Sequence, residues 1–155
     1  MEELVKLNRR IAAHWLGVLD PDQSAYLEYA AACLGEFRHS AAELARVLSF
    51  KRVLIPNSLP VAHLNRQYLR FARLAAKDVV AGNPEMALRL GVNHEQIMFL
   101  GSLTNRMVKQ LAFAWDGPII RFSRQAFVKG VALHQYSARH HATAILANQL
   151  FSSAR

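Results

Sequence analysis

The stretch MALRLGVNHEQIMFLGSLTNRMVKQLA, residues 86–112, decides how this chain folds. It reads as three short helices separated by two punctuated turns. The first, Pro84–Leu90, stops at Gly91, since glycine leaves a helix through a left-handed backbone at no steric cost. Asn93 then stands at an N-cap position, with Gln96 three residues on to complete a capping box and open a helix over His94–Leu103. Thr104 caps a third helix over Asn105–Ala114, whose apolar side holds Met107, Val108, Leu111 and Phe113–Trp115. Short helices about a glycine turn are the geometry by which a helix–turn–helix offers one helix to a DNA groove.

Outward from that segment the pattern stays helical. Upstream, Leu64, Tyr68, Phe71, Leu74 and Ala75 recur as the inward side of a long helix over Val61–Ala81, stopped by Gly82-Asn-Pro84. Pro56-Asn-Ser-Leu-Pro60 marks a boundary that divides the chain into an N-terminal helical extension, 1–60, and a second unit, 61–155. The extension holds a helix with Leu4, Leu7, Ile11 and Trp15 inward, ending near Gly17. A second begins at Asp20-Pro21 and carries a buried stripe of Tyr26, Leu27, Ala30, Cys33, Leu34 and Phe37. A third opens on the capping box Ser40/Glu43 and turns Leu44, Val47 and Leu48 inward.

Downstream, Asp116-Gly-Pro118 ends the third short helix. Ile119–Phe122 alone looks extended and is too short to define a sheet. Two more helices follow, Ser123 to about Leu133 and Ser137–Ser152, the latter presenting Ala138, Ala142, Ile145, Leu146 and Leu150. Tyr26–Phe50 and Tyr68–Val92 align without gaps as a weak internal echo. The expected fold is all-α, a multi-helix domain with a helix–turn–helix-like segment.

The 155 residues are 52% hydrophobic and 19% charged, enough to bury a core without metals or disulfides and too balanced for general disorder. The first ten residues have no apolar core of a secretory signal, no run reaches membrane-span length, and the single cysteine has no partner, so the reducing cytoplasm is expected. The formal charge of +8 is lopsided. Residues 61–155 carry twelve Lys/Arg against four acidic residues, Asp78, Glu85, Glu95 and Asp116, whereas charges cancel before residue 61. A basic half beside a neutral half points to a polyanion, most often nucleic acid.

Candidate DNA contacts follow from that charge. Arg106 and Lys109 lie three apart and share a helix face suited to phosphates, while Asn105 and Gln110 could reach base edges. Arg89 is a further basic position there, and Ser40–Asn57, where AELARVL precedes the basic turn Lys51-Arg52, looks like half of a second helix–turn–helix. Arg66, Arg70, Arg73 and Lys77 form a basic stripe for DNA or an acidic partner. His140 and His141 point about 100° apart on a helix, which favours a surface or partner contact over a metal. No metal motif, phosphate loop, nucleophile elbow or paired carboxylates occur, and Cys33 reads as an inert filler. No catalytic residue and no cofactor are expected.

The pattern Leu64-Asn65..Tyr68-Leu69..Ala72, followed by Arg89-Leu90-Gly91-Val92-Asn93, Glu95, Leu100, Leu103-Thr104 and Leu111-Ala112, resembles the FlhD family of flagellar transcriptional activator subunits. The likeness covers roughly residues 61–150. It implies an all-α protein that dimerises through intertwined N-terminal helices and associates with a cysteine-rich, zinc-binding FlhC-like subunit. It further implies activation of flagellar or mobile-element transfer genes by contact with promoter DNA and RNA polymerase. Carried over, the DNA and partner contacts fall on Arg106, Lys109, Arg121 and Arg124. The chain departs from the family in its first sixty residues, and in Ile119-Ile120 where some members place a dimer-linking cysteine. Two other readings remain: a helical adaptor that binds protein and no DNA, and an enzyme of unrecognised type.

Overall fold

Eight helices and a two-stranded ribbon make up the described residues, 2–50, 58–115 and 117–152, of the computed structural model. In chain order they are α1 (Glu2–Leu16), α2 (Pro21–Tyr29), β1 (Gly35–Phe37), α3 (Ala41–Ser49), α4 (Leu59–Val80), α5 (Glu85–Leu90), α6 (His94–Ser102), α7 (Asn105–Ala114), β2 (Ile120–Phe122) and α8 (Arg124–Ser152). The molecule is all-α in class. Lys51, Arg52, Pro56, Asn57 and Asp116, together with the His141 side chain, lie outside the described residues.

The helix starts follow from local chemistry. Asp20, Ser40 and Asn93 each accept from the backbone N–H three residues on, and Gln23, Glu43 and Gln96 return the bond to the cap. Thr104 accepts from the Met107 N–H at 3.2 Å. Each such cap stabilises its helix by about 1 kcal/mol. Gly91 closes α5 at φ 65°, the left-handed backbone its position requires.

α4 is the spine. Its buried residues include Leu64, Tyr68, Leu69, Ala72, Ala75 and Ala76, and α1, α5, α6 and α7 all pack against it. One hydrophobic cluster runs from Leu7 and Ile11 through Leu100 and Leu111 to Phe127, so the boundary expected at residue 60 does not separate two cores.

Several elements differ from the reading of the sequence. The second helix stops at Tyr29, and Gly35–Phe37 forms a strand instead of the end of an apolar helical stripe. That strand pairs antiparallel with Ile120–Phe122, in register Gly35↔Phe122, Glu36↔Arg121 and Phe37↔Ile120, so the short extended stretch does belong to a sheet. The cause is a pair of buried asparagines. Asn8 donates to Ala32 O and accepts from Leu34 N, both at 2.9 Å, which pulls the chain out of helix just before β1. Asn65 donates to Gly117 O at 3.0 Å and accepts from Ile119 N at 2.7 Å, just before β2. Both sit in a Leu-Asn-Arg triplet, residues 7–9 and 64–66. The internal likeness with a structural counterpart is therefore this one. The echo of 26–50 in 68–92 sets strand β1 against the C-terminal end of α4.

The last two helices expected are one, α8. Nothing between Leu133 and Ser137 breaks it. Near its root Gly130 lies under the Tyr26 ring, where any side chain would collide.

Candidate nucleic-acid interface

The Arg89–Asn93 segment builds the platform, and each of its residues has a structural task. The Arg89 guanidinium donates to Ala31 O at 3.0 Å and pairs with Glu85, while Arg89 O accepts from Cys33 N at 2.8 Å. Leu90 is buried, Gly91 turns the chain, and Asn93 caps α6. Gln96 also donates to His39 O at 2.9 Å and so ties α6 to the turn before α3. α5, α6 and α7 make their most extensive contacts with α4, which fixes them as an arc on a common support.

On that arc α7 has two distinct sides. Val108, Leu111 and Ala112 are buried, whereas Asn105, Arg106 and Lys109 are exposed. The Lys109 ammonium stands 5.8 Å from the Phe113 ring centroid, an arrangement that steadies the cation without neutralising it. The Gln110 amide donates to Leu48 O at 3.0 Å and Phe50 O at 3.1 Å, satisfying carbonyls at the end of α3. Its amide nitrogen is thereby engaged within the fold.

Arg121 and Arg124 lie on and just after β2, both exposed. Their electrostatics differ from those of α7. Arg121 faces Glu36 across the ribbon, and Glu36 also pairs with Arg38 at 2.7 Å. The Arg38 hydrogen bond above all, then that of Ser123, holds the Glu36 carboxyl below its usual range, and Arg121 adds to the effect. Arg121 therefore stands beside a carboxylate charged at neutral pH.

The basic stripe of α4 divides. Arg66, Arg70 and Lys77 are exposed, whereas Arg73 is half-buried and reaches Leu103 O at 3.4 Å. On α8, His140 is exposed and packs edge-on to Tyr136 at 4.4 Å. His134 stacks on Tyr29 at 5.2 Å near the root of the helix. Among the described residues no three or more His, Cys, Asp or Glu side chains converge as a metal site would require. Cys33 sits in the loop before β1, where burial pushes its thiol up to about 11 and leaves it protonated at neutral pH. No described helix is long and apolar enough to cross a membrane.

The structure thus brings Arg106 and Lys109 together on α7, and Arg121 and Arg124 together at the β2–α8 junction. Sequence reasoning missed Arg10 and Gln67, which border two cavities between α1 and α4. The signal was available in the polar Gln67 between Leu64 and Phe71 on an otherwise inward arc. No protein-family model, no curated protein and no solved structure matches the chain.

Proposed function

We propose that this chain is a transcriptional activator subunit of the FlhD type, acting in the cytoplasm as a homodimer with an FlhC-like zinc-binding subunit to engage promoter DNA and RNA polymerase. The observation that carries the reading is the exposed Arg106–Lys109 pair. It projects from a helix whose opposite side is locked in the core, and the only carboxylate between residues 86 and 115 is Glu95. A rigid helix with an unneutralised cationic side is what phosphate positioning needs. The lopsided charge of the chain and the pattern shared with the FlhD family over residues 61–150 support the same reading.

The test is duplex binding by fluorescence anisotropy, with promoter fragments from the host and with the co-purified partner subunit present. Affinity should fall steeply with salt, with a log–log slope of roughly −0.9 per phosphate neutralised. Replacing Arg106 and Lys109 together by Ala should weaken binding and flatten that slope by about two phosphate contacts, with the melting temperature unchanged. Salt-insensitive binding, or a double variant with unaltered slope, would overturn the DNA assignment and leave a protein-binding adaptor.

A further inference from the structure

α1 packs antiparallel on α4 through the core, yet the seam between them stays open on its outer side. Two cavities remain between them. One, of about 210 Å³, has Leu7 on its α1 wall and Phe71 and Leu74 on its α4 wall. The other, of about 250 Å³, has Ala13 opposite Pro60 and Leu64. Arg10 and Gln67 border both, so the two form one groove with a waist.

The positions that line this groove follow a rule. On α4 the second cavity is lined at 60, 63, 64 and 67, and the first at 67, 70, 71 and 74, the same set seven residues on. On α1 the lining positions are 3, 6, 7 and 10, then 10, 13 and 14, again a shift of seven. Four residues at i, i+3, i+4 and i+7 are the hole into which a coiled-coil knob fits. Two such holes seven residues apart have centres about 10 Å apart, the axial spacing of side chains at i and i+7 on a helix. The groove has the geometry of a helical bundle from which one helix is missing.

Its charge selects the occupant. Among the described residues Glu3 is the only acidic one lining the groove, and it is tied to Lys6. Arg10 and Arg70 have no carboxylate partner among the described residues. Gln67 Oε1 is buried at the waist with no hydrogen-bond partner among the described residues, so a donor arriving there would satisfy it. The chain's own longest helix, α8, would be a poor occupant, since it contains no acidic residue between Arg124 and Ser152 and cations would meet cations. We infer that the α1–α4 groove receives an acidic amphipathic helix of a partner protein, with two apolar side chains seven residues apart in the two cavities and carboxylates against Arg10 and Arg70. This surface is formed with α1, is distinct from the α7 face, and does not depend on the DNA reading.

The experiment is a selection of a phage-displayed library of helical peptides on the whole protein. Anisotropy of the consensus peptide on variants follows. The selected peptides should be acidic and carry apolar residues at i and i+7. Replacing Arg10 and Arg70 together by Glu should lower affinity about tenfold or more, while the Arg106→Ala, Lys109→Ala variant should bind the peptide normally. Leu74→Asp, at a wall position that is 56% exposed, should weaken binding independently and guards against a fold defect in the first variant. Basic or neutral consensus peptides, absence of the seven-residue spacing, or unchanged affinity in both groove variants would overturn the inference. Competitive displacement of the peptide by duplex DNA would overturn it too, by assigning the groove to phosphates.

Discussion

The two sides of α4 have met their neighbours in opposite ways. Toward α6 the helix presents Ala76, with Ala72 one turn before it, and a Cβ built on Gly101 would lie 3.7 Å from the Ala76 Cβ. Small residues let the two backbones approach until no space is left. Toward α1 the same helix presents Gln67, Arg70 and Leu74, and cavities persist. Long polar side chains keep their charged ends in water and hold the neighbouring helix away. One side has been closed by the chain itself. The other carries the side chains of a surface still open to something else.

The sharpest way to break the closed side is Leu100→Asp. Leu100 is fully buried, and a carboxylate there has no partner, so a loss of about 3–5 kcal/mol is expected in urea unfolding. An unaltered midpoint would show that α6 does not sit against the spine as described.

A second effect appears at alkaline pH. Burial raises Cys33 from 9.0 to about 11 and Tyr68 well above its ordinary value of 10.0. The folded chain keeps protons that the unfolded chain releases, so the contribution of Cys33 is whole below pH 9.0 and is lost as pH rises through about 11, while that of Tyr68 is whole below pH 10.0 and is lost well above it. Tyr68→Phe removes a buried hydroxyl that has no partner among the described residues. That variant should therefore keep its neutral-pH melting temperature and flatten the alkaline fall, as should Cys33→Ala for the window between 9.0 and about 11. A pH–melting curve for each checks this.

Ala76→Leu probes the close approach directly and should cost about 1–3 kcal/mol through overpacking. The smallest effect belongs to the open side. Leu74→Ser should change stability by no more than about 0.5 kcal/mol, since the side chain is largely exposed. A large loss there would mean that Leu74 supports the fold, and the contrast between the two sides would fail.

Local chemistry made much of the fold legible. The caps at Asp20, Ser40, Asn93 and Thr104 each depend on a partner three residues away, within reach of any reading of the sequence. The exposure of Arg106 and Lys109 followed from the buried Val108 and Leu111 beside them. The ribbon was hidden because its strands are three residues each and far apart in sequence. Tyr26–Phe37 was misread because its apolar spacing suits a helix, and the bonds that dictate otherwise come from Asn8 and Arg89, far off in the sequence. The tie from Gln110 to α3 was equally invisible, since the carbonyls it bonds lie about sixty positions upstream. The groove belongs to two helices at once, and no single stretch of sequence announces it.

The ribbon also dictates an order of events during synthesis. Its strands are separated by roughly 85 residues, so β1 leaves the ribosome long before β2 exists. The loop held by Asn8 can close early, because Ala32 and Leu34 lie nearby in the chain. β1 then waits as an unpaired edge while α4 through α7 emerge, and such edges invite pairing with the wrong chain. Glu36, the middle residue of that strand and the only one of the three left exposed, places a charge on the waiting edge. A carboxylate there discourages a stray strand during translation and meets Arg121 once the correct one arrives.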